Sequence, residues 1–414
     1  MKTIHEQHFL SGKYIIVAGG GIGGLTFCVA LQRFLENNNQ EINPPPHIVV
    51  YERELSLDDI GREGYSLSIR SDPLSGGMQI LQKLDLLDQI LGESNPGTYF
   101  TVFNNDFTPL IEFQSPPVEG LSQSTASIAR SKLREILHKN ISPSIAVHWN
   151  HGIESVEELE NGQVIVTLMN GHQEKCDLLI AADGSNSKGR RAIRSQNELR
   201  FAGAVSIAAR TQPLEKLPPP IDKTWGSVLG VNGNFLFVAP SDQRSALWSV
   251  SYLSDKPSEP RPAGTMSEEE IEQVLSEAHQ RLVSFGEPMP TLFKKTLRSS
   301  VSVFNAKDME PFRNHGSVIF IGDAQHAMSP FAGNGANMAM MDGYKLAEQM
   351  ILAKHLSTAV QAYDDLCIPR SINAIKMSHR TIAIGHSQGI WKYMWVTMLK
   401  IVAYFFGFNS KSEQ

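Results

Sequence analysis

Three short runs of glycine and acid carry the chemistry that can be read in this 414-residue chain. Gly19-Gly20-Gly21-Ile22-Gly23-Gly24 lies near the start, Asp183-Gly184-Ser185 in the middle and Gly322-Asp323-Ala324 toward the end. Each follows a short apolar stretch. Gly19, Gly21 and Gly24 fit G-x-G-x-x-G between a strand and a helix. That spacing supplies a tight turn, a backbone that can approach a pyrophosphate, and a helix lying close against a sheet. The N-terminus of that helix adds free N–H groups and a positive dipole end for phosphate. Glu52 ends the second apolar stretch, where a carboxylate can accept hydrogen bonds from a ribose diol. Arg53 follows as an adenosine-side contact, with Arg62 and Arg70 further on as phosphate-facing or solvated cations. Three gripping points in this order describe one long ligand held along its length.

Such residues need a layered fold behind them. Single cores stop growing at roughly 250–300 residues, so two subdomains are expected. Residues 14–18 and 47–51 read as buried strands around a helix at 22–35, and 177–182 and 317–321 read as further buried strands. A helical spacing of apolar residues runs through 75–91, and 98–113 suggests a strand pair. Residues 131–139 read as a helix. Strands at 147–156 and 163–168 are joined around the turn pair Asn161-Gly162. From about 200 to 295 strands alternate with proline-rich loops, beside one well-marked helix at 267–284. A helix at 335–352 follows the last glycine-and-acid run, and the remainder is helical.

The middle run extends as Asp183-Gly184-Ser185-Asn186-Ser187-Lys188-Gly189-Arg190. It resembles the D-G-x-x-S-x-x-R motif of the class A (group A) flavoprotein monooxygenases, the single-component aromatic-ring hydroxylases. The late run continues to Pro330 and then Gly333-Asn334-Gly335-Ala336-Asn337. It is similar to that family's G-D-A-x-H-x-x-x-P-x-x-G-x-G-x-N pattern, with Asp342 beyond it. Arg130, ahead of Leu133, matches the family's arginine. The resemblance spans about residues 14–350, in a layout similar to tetracycline-inactivating enzymes and hydroxylases of polycyclic natural products.

The resemblance implies an α/β fold: a Rossmann-like, para-hydroxybenzoate-hydroxylase-like FAD-binding domain, an inserted sheet-rich substrate domain, and a C-terminal bridging helix. It divides the chain into 1–85, 124–198 and 295–345 for FAD, 86–123 and 199–294 for substrate, and a helical segment 346–414. It implies FAD as cofactor, NADPH or NADH as transient reductant, and insertion of one oxygen atom of O2 into an aromatic or polycyclic substrate through a flavin C4a-hydroperoxide. The expected cofactor contacts are Gly19, Gly21, Gly24, Glu52, Arg53, Arg130, Asp183, Asp323, Gly335, Ala336 and Asn337. Pro330 and Gly333 are expected beside the flavin ring. No side chain is assigned as catalytic, because the cofactor carries the difficult step. His326 is read as structural. Phe235, Phe237, Trp248 and Phe331, with Trp225 less central, are the candidate substrate-lining residues. Ala208 and Val231 stand where the tetracycline-inactivating enzymes carry polar anchors, which favours a more apolar polycycle.

Two alternatives share this scaffold. A flavin halogenase would carry W-x-W-x-I-P, which is absent. A non-catalytic lipid or prenyl carrier would have no use for the flavin-ring signatures. Composition narrows the classes further. With 37 basic and 43 acidic residues the net charge is −6, so there is no basic field for nucleic acid. Cys28, Cys176 and Cys367 are too far apart for a zinc or disulfide framework. The start of the chain shows no signal pattern, so a cytoplasmic location is expected, and a monomer is the expected state. Residues 390–408 are apolar and aromatic, but Lys392 and Lys400 interrupt them. A spanning helix prefers about 20 uninterrupted apolar residues. The segment is therefore read as the bridging helix, with a helix lying on a membrane surface as the alternative.

Overall fold

The computed structural model describes residues 7–37, 42–57, 66–72, 76–94, 99–113 and 117–406; Arg62, Ser75 and the end of the 390–408 segment lie outside them. Five short parallel strands form the first layer, in the order Val318–Phe320, Leu178–Ala181, Tyr14–Ala18, His47–Tyr51, Ala146–His148. Successive side chains point to opposite faces, and the apolar runs fill both. Ile15, Val17, Ile48, Val50 and Ile180 join the core beneath the helices. Ile16, Ala18, Val49, Leu179 and Phe320 join the core beneath an antiparallel meander, Ile153–Glu158, Val164–Leu168 and Gln173–Cys176. Burial on both faces is why these strands read as continuous apolar stretches.

The helices Ile22–Asn37 and Gly335–Leu352 pack side by side on this sheet. A Cβ on Gly343 would lie 2.5 Å from the Gly23 carbonyl, so glycine permits the approach. A Cβ on Gly24 would collide with the Gly19 carbonyl, so Gly24 acts in packing the helix against its own loop.

The second layer is a seven-stranded sheet in the order Ser302–Asp308, Arg200–Arg210, Ala246–Leu253, Phe235–Pro240, Thr224–Leu229, Tyr99–Asn104, Pro109–Phe113. All neighbours are antiparallel except Thr224–Leu229 beside Tyr99–Asn104. The helix Glu268–Leu282, started by a Ser267/Glu270 capping box, covers its outer face. Val205, Ile207, Leu236, Val250, Ile271 and Val274 fill that interface. The inner face looks toward the first layer.

Several local expectations shift. The helix expected over 75–91 is two, Gly77–Lys83 and Leu87–Glu93, broken where Asp85 has positive φ. The strand expected over 147–156 is also two, and its halves join different sheets. Leu87 and Ile90 bury in the core of the first layer, although 86–123 were assigned to the substrate part. Ser302–Asp308 pairs with Arg200–Arg210, although 295–345 were assigned to the FAD part. Strand pairing and burial, which act across the chain, draw these lines differently from local texture.

The bridge is the 30-residue helix Leu356–Gly385. Its Tyr363 hydroxyl donates to Gln325 Oε1 at 2.9 Å, and its His379 lies 2.6 Å from Asp308. The segment expected to bridge forms a separate helix, Gly389–Phe406, which lies against the Pro109–Phe113 edge through Val396 and Leu399. Its lysines part company: Lys392 Nζ donates to the carbonyls of Leu229 and Gly230 at 3.0 and 2.8 Å, whereas Lys400 is exposed. Among the described residues no helix is long and apolar enough to cross a membrane.

Candidate active site

A cavity of about 1800 Å³ runs between the two layers, from the glycine loop to the inner face of the large sheet. Glu52 anchors its first end. It is buried, its Oε2 accepts from Gly20 N–H at 2.7 Å, and its Oε1 accepts from Glu54 N–H at 2.9 Å. Arg134, on the helix Arg130–Lys139, sits 3.6 Å from Oε2 and donates to Gly20 O at 2.9 Å. The motifs do not include Arg134; its only signal is a charge within an apolar helical stripe.

The D-G-x-x-S-x-x-R run has a physical explanation. Asp183 Oδ2 accepts from Lys188 N–H at 2.8 Å, and Ser187 Oγ accepts from Arg190 N–H at 2.9 Å, so both start the short helix Lys188–Ile193. Arg190 is buried and donates to Ser185 O at 2.5 Å and Ala324 O at 3.0 Å. It thereby ties the second signature to the third. Asp183 Oδ1 is buried and unpartnered, and burial pushes the carboxyl above its ordinary pKa.

Asp323 follows the strand Val318–Phe320 and faces the cavity. Burial raises its pKa too, while His326 and Arg130 pull the other way. Pro330, Gly333, Gly335 and Ala336 line the adjoining wall with Asn334, whose Oδ1 is buried and unpartnered. Asn334 occupies the N-cap of Gly335–Leu352 without capping it.

The inner face of the large sheet is ordered by its register. Phe304, Ser206, Ser251, Phe235 and Leu229 lie across one row. Ser302, Ala208, Ser249, Phe237, Ser227 and Val102 form the next. Arg210, Leu247 and Ala239 begin the third, which passes Trp225 to Phe100 and Phe113. All of these line the cavity. The first row abuts the cofactor-side loop, since Phe235 stacks on Phe331 at 6.1 Å between centroids. His386 packs on both rings and shares a 3.0 Å hydrogen bond with Ser251 Oγ. Sequence reasoning missed His386; no motif marks it.

The FAD binding domain family matches residues 67–371. The chain is 35% identical over 395 residues to the monooxygenase cfoF of Aspergillus candidus, covering 92% of this chain and 93% of that one. The chain belongs to the class A flavoprotein monooxygenases. Among solved structures, HpxO of Klebsiella pneumoniae, complexed with FAD and uric acid, matches with a TM-score of 0.76 at 21% identity, over 95% of this chain and 94% of that one. Tetracycline destructase Tet(51) matches with a TM-score of 0.65 at 20% identity, over 97% of this chain and 100% of that one.

The lining of this monooxygenase fits FAD. Unpartnered acceptors at Asp183 and Asn334 lie along one wall, and the Asp323 carboxylate makes no hydrogen bond to the protein among the described residues. Hydroxyls and ring N–H groups of the cofactor are the donors that such acceptors require. Of the expected contacts, Gly19, Gly21, Glu52, Arg53, Arg130, Asp183, Asp323, Gly335 and Ala336 all line the cavity, as do Phe235, Phe237, Trp225 and Phe331.

Three expectations are corrected. Asn337 is fully buried outside the lining; its Oδ1 accepts from Arg70 N–H at 3.0 Å and its Nδ2 donates to Ser68 O at 2.8 Å. Its side chain is spent holding the strand Ser66–Arg70 to the helix. Trp248 points to the outer face, fully buried, with Nε1 donating to Thr296 Oγ1 at 3.1 Å. Strand alternation decides this, because its neighbours Leu247 and Ser249 face the cavity. Val231 sits in an exposed turn outside the lining, whereas Ala208 faces the cavity.

Proposed function

We propose that this monooxygenase hydroxylates a flat aromatic or polycyclic substrate, laid on the inner face of the large sheet. The observation that carries the reading is the pattern of that face: Phe235, Phe237, Trp225 and Phe100 around Ser227, Ser249 and Ser251. Aromatic walls bury a planar ring system and exclude water, while a few hydroxyls orient its polar substituents.

When bound, FAD supplies the redox chemistry that takes electrons from NADPH or NADH and activates O2. Glu52 and its glycine loop would hold the adenosine end. Asp323 and Asp183 would accept hydrogen bonds from the middle of the cofactor. The N-terminus of Gly335–Leu352, left uncapped by Asn334, would stabilise negative charge developing nearby. Phe331 closes the gap between this loop and the sheet. HpxO is complexed with uric acid and Tet(51) is a tetracycline destructase; an aromatic or polycyclic substrate is in keeping with both.

The test is a visible spectrum of the purified protein, followed by NADPH and NADH oxidation with polycyclic phenols, indoles and tetracyclines. A flavin spectrum, substrate-stimulated oxidation and a product heavier by one oxygen atom are expected. A colourless protein that takes up no FAD would overturn the reading, and a halogenated product would reassign the reaction.

The helix Gly389–Phe406 favours work at a lipid surface. Ile390, Trp391, Tyr393, Met394, Ile401 and Tyr404 are exposed on it together with the cation Lys400, and Leu399 lines the cavity. Aromatic and apolar residues with cations suit an anionic lipid interface. Co-sedimentation with phosphatidylserine vesicles, weakened in a Trp391→Ser/Tyr393→Ser variant, is the expected result; no sedimentation of the parent protein would refute it.

A further inference from the structure

Among the described residues, Arg210 is the one charged residue that the large sheet contributes to the cavity lining. Arg70 has Asp72 at 3.4 Å, and Lys188 is paired with Glu154. Arg130 lies in the field of Asp323. Arg210, at the end of Arg200–Arg210, has no carboxylate within ion-pair distance among the described residues. Its Nε is buried and makes no hydrogen bond.

The backbone around it is fixed. Arg210 N–H donates to Ser300 Oγ at 2.9 Å, and its carbonyl accepts from Leu297 N–H at 2.8 Å. Leu247, Pro260, Pro262 and Leu297 line the same end of the cavity. The Arg210 Nε–H is withdrawn from water although the residue as a whole is only part-buried, and a buried donor is costly until an anion or other acceptor meets it. No such anion comes from the described protein.

We propose that Arg210 is an anion-binding subsite at the end of the cavity remote from the flavin loop, and that it takes a carboxylate or similarly acidic group of the substrate. This rests on the monooxygenase reading and sharpens it. Arg210 is four residues along its strand from Ser206, or about 13 Å at strand spacing. Ser206 lies in the row that abuts Phe331 through Phe235. The favoured substrate is therefore an elongated aromatic acid, with its charged end two rows away from the end that is oxygenated. The phosphates of the nicotinamide reductant are the other source of the same chemistry.

The experiment titrates FAD-loaded wild type, Arg210→Gln and Arg210→Lys with trans-stilbene carboxylic acid and its methyl ester, reading the flavin absorbance change. A charge-assisted pair gives the wild type about tenfold or greater preference for the acid. Arg210→Gln should abolish the preference and Arg210→Lys should keep much of it. If the preference is absent but Arg210→Gln raises KM for NADPH, the anion is the reductant's phosphate. If Arg210→Gln holds FAD and changes neither quantity, the subsite does not exist. Failure of the wild type to bind FAD would instead remove the monooxygenase reading, so the two failures are distinct.

Discussion

Asp342 and His326 form a fully buried pair, with Asp342 Oδ2 2.5 Å from His326 Nε2. The same oxygen accepts from Gly322 N–H at 3.0 Å, and the other carboxylate oxygen receives Arg370 from the bridging helix. Three segments distant in sequence thus meet on one carboxylate, whose charge reaches Asp323. The pair explains why the late signature continues to Asp342: this aspartate positions the loop that lines the cavity.

Replacing Asp342 with asparagine should be severe. Removing one partner of a buried ion pair costs about 3–5 kcal/mol, and here Arg370 and His326 would both be stranded. The expected result is a lower thermal midpoint and weaker FAD retention, measured by differential scanning fluorimetry and flavin titration. An unchanged FAD affinity would show that the loop does not depend on the pair.

The same pair should shape the pH dependence. Burial disfavours charge on His326, but the Asp342 carboxylate outweighs it and holds the imidazole well above its ordinary pKa. A raised folded pKa contributes stability that is fully present below the unfolded value and lost as pH rises through the folded one. Thermal midpoints should therefore fall on the alkaline side through this group, and His326→Gln should lose that portion of the fall. Parallel curves for the two proteins would refute the assignment.

Asn337→Ala should release the strand Ser66–Arg70. Two hydrogen bonds to part-buried backbone are lost, at about 0.5–1.5 kcal/mol each. Urea midpoints measure it. A cofactor-binding role for the side chain would instead appear as a changed FAD affinity at unchanged stability of the FAD-free protein.

Trp248 and Phe237 should behave oppositely. Trp248→Phe removes the hydrogen bond to Thr296 and leaves space in the outer core, costing about 1–3 kcal/mol without a change in substrate KM. Phe237→Ala should raise KM severalfold, because Phe237 lines the cavity. Steady-state kinetics with thermal melts separate the two.

The glycine loop, the strand-ending Glu52, the D-G run and the late G-D run were all legible because each is a local device. A tight turn, a helix start and a strand end are fixed by residues close together in sequence. The parallel strands were legible for the same reason, since burial on both faces leaves a continuous apolar run. The roles of Arg134 and His386 were not, because their partners come from distant elements. Trp248 shows the limit: an aromatic residue on a strand has two faces open to it, and its composition does not say which.

The sequence by itself determined the family and the cofactor, because close backbone approach to a phosphate and a ring tolerates few alternatives. Only the tertiary structure decided which long helix bridges the layers, which side chains of the large sheet face the cavity, and that Asp342, His326 and Arg370 converge. Those outcomes depend on strand register and on helix packing across the fold, and each is set by contacts between residues far apart in the chain.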